Sequence, residues 1–220
     1  VVGATSPSDE WYFAEGCTRV GFSQWLCLAN PNDAVAQVDV SFVLGSGEVK
    51  PYPRLSIPPK SRSTISVFAA VGAGQDVATM VRSDSPIVAE RPMYFNYSGK
   101  WAGGHDVMGA RSPAERFYFA EGYTGAGFEE WMCIFNHSPD RTARVKVTFM
   151  FKGGGTQELE REVGPYSRVT FSVNYAAGFD KEVSAVVEST NGVGVVAERP
   201  IYFNYSGKWA GGHDVIGYTP

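Results

Sequence analysis

Cysteine and histidine are scarce, three of each in 220 residues. Three cysteines cannot all pair within one chain. Cys27 aligns with Cys133 across the repeat described below, but Cys17 aligns with Tyr123, so no disulfide framework is shared by the two halves, and cysteine does not settle the compartment. The apolar settings Trp25-Leu-Cys-Leu28 and Trp131-Met-Cys-Ile134 predict Cys27 and Cys133 as small buried hydrophobes, with no reactive or metal-binding role. A zinc centre wants three or four His or Cys ligands at recognisable spacing, and each half offers one matched histidine, His105 or His213, with His137 unmatched. Calcium through Asp106, Asp76 or Glu121 lacks the dense Asp/Asn loop such sites use. The expectation is no metal and no cofactor.

Other things are missing too. No apolar run approaches the roughly 20 residues a bilayer span needs, and the chain opens on Val1 with no charged or apolar leader, as a mature or excised piece would. Charged residues make up 19% of the chain and sum to -4 with both signs interspersed, leaving no basic stripe for a phosphate backbone or an anionic membrane. Nucleic acid and membrane insertion are therefore not expected. There is no GxSxG elbow, P-loop or dinucleotide fingerprint, and no enzyme is expected.

What is present is a repeat. Ala89-Glu-Arg-Pro-Met-Tyr-Phe-Asn-Tyr-Ser-Gly-Lys-Trp-Ala-Gly-Gly-His-Asp-Val107 returns at Ala197–Val215 with Met93 replaced by Ile201 as the single change. Near the front of each half stands Tyr12-Phe-Ala-Glu-Gly16 or Tyr118-Phe-Ala-Glu-Gly122. Between these anchors the halves keep their apolar pattern and lose identity. Two units of about 107 residues, near the commonest domain size, follow, divided as 1–106 and 107–220.

Within a unit, Val38, Val40, Phe42 and Leu44 alternate with Gln37, Asp39 and Ser41, and Val145, Val147, Phe149 and Phe151 repeat the pattern. A period of two means a strand with one wet face. Glycine, proline and asparagine clusters punctuate the chain near every ten residues. Six or seven short strands per unit predict an all-β chain of two tandem immunoglobulin-like antiparallel β-sandwich domains, with almost no helix. With YFAEG in front and AERPMYF near the end, each unit resembles an uncharacterised set of bacterial extracellular tandem Ig-like repeats. That resemblance covers nearly all of the chain; it implies a fold and an extracellular, cell-surface location, and no activity.

The fixed stretch is rich in rings, which bury large area at low entropic cost and suit a repeated interface. The expected inter-repeat contacts are Tyr94, Phe95, Tyr97, Trp101, His105 and Asp106, their matches Tyr202, Phe203, Tyr205, Trp209, His213 and Asp214, and the front motifs Tyr12, Phe13, Glu15 and Tyr118, Phe119, Glu121. The bland alternative is that Tyr94, Phe95 and Trp101 close the core of their own unit. Ser98-Gly-Lys100 reads as a tight hairpin turn, and Gly103-Gly104 as backbone geometry closed to other residues. Glu90 and Arg91 face opposite ways on a strand, so one of them should brace against Glu15, Arg62 or an equivalent. Glu15 and Glu90 as a glycosidase pair would need a cleft that small sandwiches do not offer.

The reading is a non-enzymatic structural protein. Its partners are itself or neighbouring identical repeats, head-to-tail in a cell-surface fibre or filament, an open series that heterologous contacts generate. The alternative is a carbohydrate-binding adhesin module, with Tyr97, Trp101, Tyr205 and Trp209 stacking on glycans. Asn96, Asn136 and Asn204 fit the glycosylation acceptor pattern, which has meaning only in a source that uses it.

Overall fold

The computed structural model describes residues 3–220. The first unit runs β1 (Ser8–Phe13), β2 (Phe22–Asn30), β3 (Ala36–Leu44), β4 (Val49–Pro51), β5 (Leu55–Ile57), β6 (Ser61–Ser66), α1 (Val67–Val71), β7 (Val77–Tyr97) and β8 (Trp101–Met108). The second runs β9 (Arg116–Phe119), β10 (Phe128–Asn136), β11 (Ala143–Phe151), β12 (Thr156–Val163), β13 (Ser167–Ser172), α2 (Val173–Ala177), β14 (Val183–Ser189), β15 (Val196–Glu198), β16 (Ile201–Tyr205) and β17 (Trp209–His213). Every strand pairing is antiparallel, and the chain is all-β with immunoglobulin-like sandwiches.

β7 builds both layers of the first sandwich. Its first half, Val77–Ser83, pairs with β3 and β1; its second half pairs with β2 and β8. In the second unit the same path is cut into β14, on β11 and β9, and β15 and β16, on β10, because the longer stretch Thr190-Asn-Gly-Val-Gly194 turns where β7 runs on. The alternating residues do as their period requires. Val38, Val40, Phe42 and Leu44 lie in one core with Trp11, Phe13 and Leu26, and Val145, Val147 and Phe149 lie in another with Phe117, Phe119 and Met132. Asn30 and Asn136, which read as turn residues, are buried braces. The Nδ2 of Asn30 donates to the carbonyls of Ala34, Ile57 and Pro58 at 2.8, 2.9 and 3.1 Å, and that of Asn136 to Arg141, Val163 and Gly164 at 2.7, 2.9 and 3.0 Å.

Several expectations need correction. Among the described residues helix is confined to the single turns α1 and α2, entered at Ser66 and Ser172, in keeping with a chain of almost no helix, but the strands expected over residues 63–68 and 169–173 end there. A boundary at 106/107 falls inside β8, which continues to Met108, and Ala110 bridges back to Tyr12. Ser98 and Gly99 do form the turn, with φ of 53° and 67°. Gly103 and Gly104, by contrast, are absent from the positive-φ residues; close approach explains them, since a Cβ on Gly103 would lie 3.1 Å from the Cα of Gly211 in the other unit.

Candidate functional site

The two sandwiches meet along a seam, and strand alternation supplies its residues. On β1 and at the residue after it, Trp11 and Phe13 point into their own core while Tyr12 and Ala14 point outward, where they join Val43 and Ala78 against Cys133, Phe135 and Val196 of the second unit. Beside this apolar patch lies a ring cluster. Phe22, Phe95, Tyr97 and Trp101 of the first unit enclose Tyr202 and Trp131 of the second, with Phe95 edge-on to Tyr202 at 4.9 Å and Tyr97 also 4.9 Å from it. Tyr97 donates its hydroxyl to Glu129 at 2.7 Å. β17 passes so close to the end of β7 that a Cβ on Gly212 would stand 2.8 Å from the Phe95 ring.

Between the two patches sits a buried ionic cluster. Arg91, fully buried, pairs with Glu15 of its own unit and reaches across to Glu198 at 2.7 Å and Asp214 at 2.6 Å. Glu198 also accepts from the backbone N–H of Ala14 at 2.6 Å. Burial opposes the charge on Arg91, but the three carboxylates more than offset it and hold its pKa above the usual value. Three carboxylates against one guanidinium leave negative charge to neutralise. Burial pushes the Glu15 carboxyl up, and burial together with Glu198 pushes Asp214 well up, so this group shares protons. Burial holds His105 well below its ordinary value, hence neutral, and its ring nitrogens have no partner among the described residues. Donor atoms of Glu15, His105 and Asp214 lie within 4.8 Å of one another, a spacing that could hold a metal ion, but Arg91 already bridges the two carboxylates. The guanidinium has the place a cation would take.

A fourth contact is a hook. Arg168 donates to the carbonyls of Gly16 and Val77 across the seam at 2.9 and 3.1 Å, and is itself held by Cys133 Sγ at 3.3 Å and Thr170 at 2.5 Å. Neither Arg91 nor Arg168 was among the expected contact residues. Both had a signal, Arg91 as half of the predicted brace and Arg168 through the Ser-Arg context it shares with Arg62.

The seam is heterologous: different faces of the repeat meet. Matched residues therefore differ in exposure. Phe95, Tyr97, Trp101, His105, Tyr12 and Glu15 line it from the first unit, whereas Phe203 and His213 are half-buried, Tyr205 and Trp209 are 53% and 60% exposed, and Tyr118 and Glu121 are exposed. Conversely Tyr202, Glu198 and Asp214 are buried in the seam, while Tyr94 is 60% exposed and Glu90 and Asp106 are half-buried. Phe13 and Phe119 take no part; both face their own cores, because the pleat turns neighbours of Tyr12 and Tyr118 inward. Trp101 is likewise not part of its own unit's main core, but of the ring cluster. Cys27 is half-exposed where a buried residue was expected, since among the described residues no other unit packs on its face as the first unit packs on that of Cys133. The brace is Arg91 with Glu15, and Glu90 points to the opposite face, so the two glutamates do not share a cleft. Of the acidic residues considered for calcium, Asp76 pairs with Arg19 and Glu121 with Arg199.

No curated protein matches the sequence. Among solved structures, Thermotoga maritima 1070 is similar over 48% of this chain and 96% of its own, with 15% identity and a TM-score of 0.44. The Anabaena sensory rhodopsin transducer is similar over 41% and 99%, with 20% identity and a TM-score of 0.36. A major pilin of Streptococcus pyogenes aligns over 95% and 98%, at 8% identity and a TM-score of 0.28. At these scores none bears on function. A family model described as a family of unknown function (DUF5719) matches residues 2–198.

Proposed function

We propose, from the premise that this chain belongs to that family of unknown function, a non-enzymatic structural role outside the cell. The β-sandwich units are stacking elements, docked one on the next in a cell-surface fibre or filament. The observation that supports this is the seam: the same ring-rich stretch is buried where it meets a neighbouring unit and open where it does not. Rings, one fully buried arginine and a close glycine crossing favour a fixed geometry between units, which a stacked array needs and a flexible spacer does not.

A second reading, a sugar-binding surface, draws support from one place. Tyr205 and Trp209 are exposed, with ring planes 17° apart and centroids at 5.7 Å. Tyr97 and Trp101, proposed with them from sequence, are covered by the second unit. Electron microscopy of native surface material tests the structural role, paired with Trp101→Ala and Trp209→Ala in the same chain. Filaments that shorten or vanish while each sandwich stays folded are expected. Native material found only as free monomer, with glycans quenching Trp209 fluorescence, refutes the role in favour of sugar binding.

A further inference from the structure

Each half of the seam has a counterpart on the outside of the molecule. The first unit brings Glu15, Arg91 and His105 to the seam; on the second unit's outer side stand Glu121, Arg199 and His213, with Arg199 Nη1 2.6 Å from Glu121 and His213 Nε2 3.7 Å from it. Arg199 is 3% exposed, and its Nε has no partner among the described residues. The second unit brings Glu198 and Asp214; on the first unit's outer side stand Glu90 and Asp106, both shifted up by partial burial, and Glu90 also by its neighbour Asp106.

The hook is repeated as well. Arg62 donates to Cys27 Sγ at 3.2 Å and to Thr64 at 2.9 Å, the pose Arg168 holds on Cys133 and Thr170. In the seam the other nitrogen of that arginine meets the Gly16 and Val77 carbonyls, and their counterparts Gly122 and Val183 line an open groove on the second unit together with Glu121. The apolar patch is matched with its bulk redistributed. Where Phe135 joins Val43 in the seam, the outer pair is exposed Ala29 and exposed Met150, small where the inner one is large and large where it is small.

We infer that the outer face of the second unit docks on the outer face of the first unit of another copy of this chain, repeating the internal seam between molecules. Arg199 then takes Glu90 and Asp106 as Arg91 takes Glu198 and Asp214, Tyr94 enters between Phe203 and Tyr205, and Arg62 hooks the Gly122 and Val183 carbonyls. Because the contact joins unlike faces, it does not close and propagates head-to-tail. This deepens the structural reading and rests on it, naming the partner and the surface.

The test blocks one face at a time at exposed positions, which leaves each fold intact: Met150→Glu on the receiving face and Ala29→Glu on the donating face. Light scattering on the purified chain up to about 1 mM, the weak end of specific contacts, should show a series of growing masses. Each variant alone should stay monomeric, and an equimolar mixture should stop at dimers, since each variant retains the face the other lost. Without any variant, Cys27 should become at least tenfold slower to alkylate as the concentration of the parent chain rises. Association that neither substitution affects overturns this docking but leaves the structural role standing. A chain monomeric throughout, with Cys27 labelled at a constant rate, overturns the docking; oligosaccharide binding at Tyr205 and Trp209 in that monomer would remove the structural role too.

Discussion

Glu130 offers a quantitative test of the physical account, because the repeat contains its own control. The same position in the first unit is Gln24, buried, whose Oε1 accepts from the Cys17 N–H at 2.9 Å. Glu130 is 2% exposed, and burial, against the partial relief of Arg199, pushes its pKa from 4.5 up to about 8. A raised acid contributes stability that is fully present below its unfolded value and is lost as pH climbs through the folded one. At 1.36 kcal/mol per unit, the rise from 4.5 to about 8 costs on the order of 5 kcal/mol above pH 8 and about 2 kcal/mol at pH 6. Glu130→Gln removes the charge and keeps the shape. It should leave stability near pH 4.5 almost unchanged and raise it by about 2–5 kcal/mol at pH 8.5, a gain in melting temperature on the order of 5–15 °C for a chain of this size. Thermal melts of both proteins from pH 4.5 to 9, followed by circular dichroism, measure it. A difference between the two that does not vary with pH would refute the reasoning.

Three further outcomes are expected. Arg91→Met leaves Glu15, Glu198 and Asp214 buried without their cation and should cost about 3–5 kcal/mol in denaturant melts; a loss under about 1 kcal/mol would show that those carboxylates are already neutral. Gly212→Ala drives a Cβ to 2.8 Å from the Phe95 ring and should open the seam, red-shifting tryptophan emission, at a cost of about 1–3 kcal/mol, while Gly104→Ala, with no residue of the other unit against it, should leave the emission in place. Thiol labelling of the native chain should find Cys27 alone reactive: burial pushes Cys17 up to about 11 and Cys133 up to about 12, and both are covered. Fast labelling at Cys133 would mean that the seam opens in solution.

Much of the fold was legible because its signals are local. The alternation of Val38 to Leu44 and of Val145 to Phe151 and the turn at Ser98-Gly99 follow from periodicity and turn chemistry, and the structure carries each of them. The pairing of Arg91 with Glu15 was foreseen as one of several braces, because a strand shows one of two neighbouring charges to each side. Phe13 and Phe119 were misplaced for the same reason: a motif was treated as a block, although its neighbours face opposite ways. The turns of α1 and α2 were missed because the apolar spacing of so short a segment fits strand and helix alike.

The chain by itself determined the strands, the two cores and the stock of rings and charges, since these depend on neighbours a few residues apart. It could not determine which copy of each residue would be covered. Trp101 and Trp209 stand in identical sequence, yet one is 9% exposed and the other 60%, and Asp214 shares a buried arginine while Asp106 does not. That difference arises when one face of the first sandwich closes on the opposite face of the second. A contact between unlike faces breaks the equivalence of the two copies, and only the packed molecule contains it.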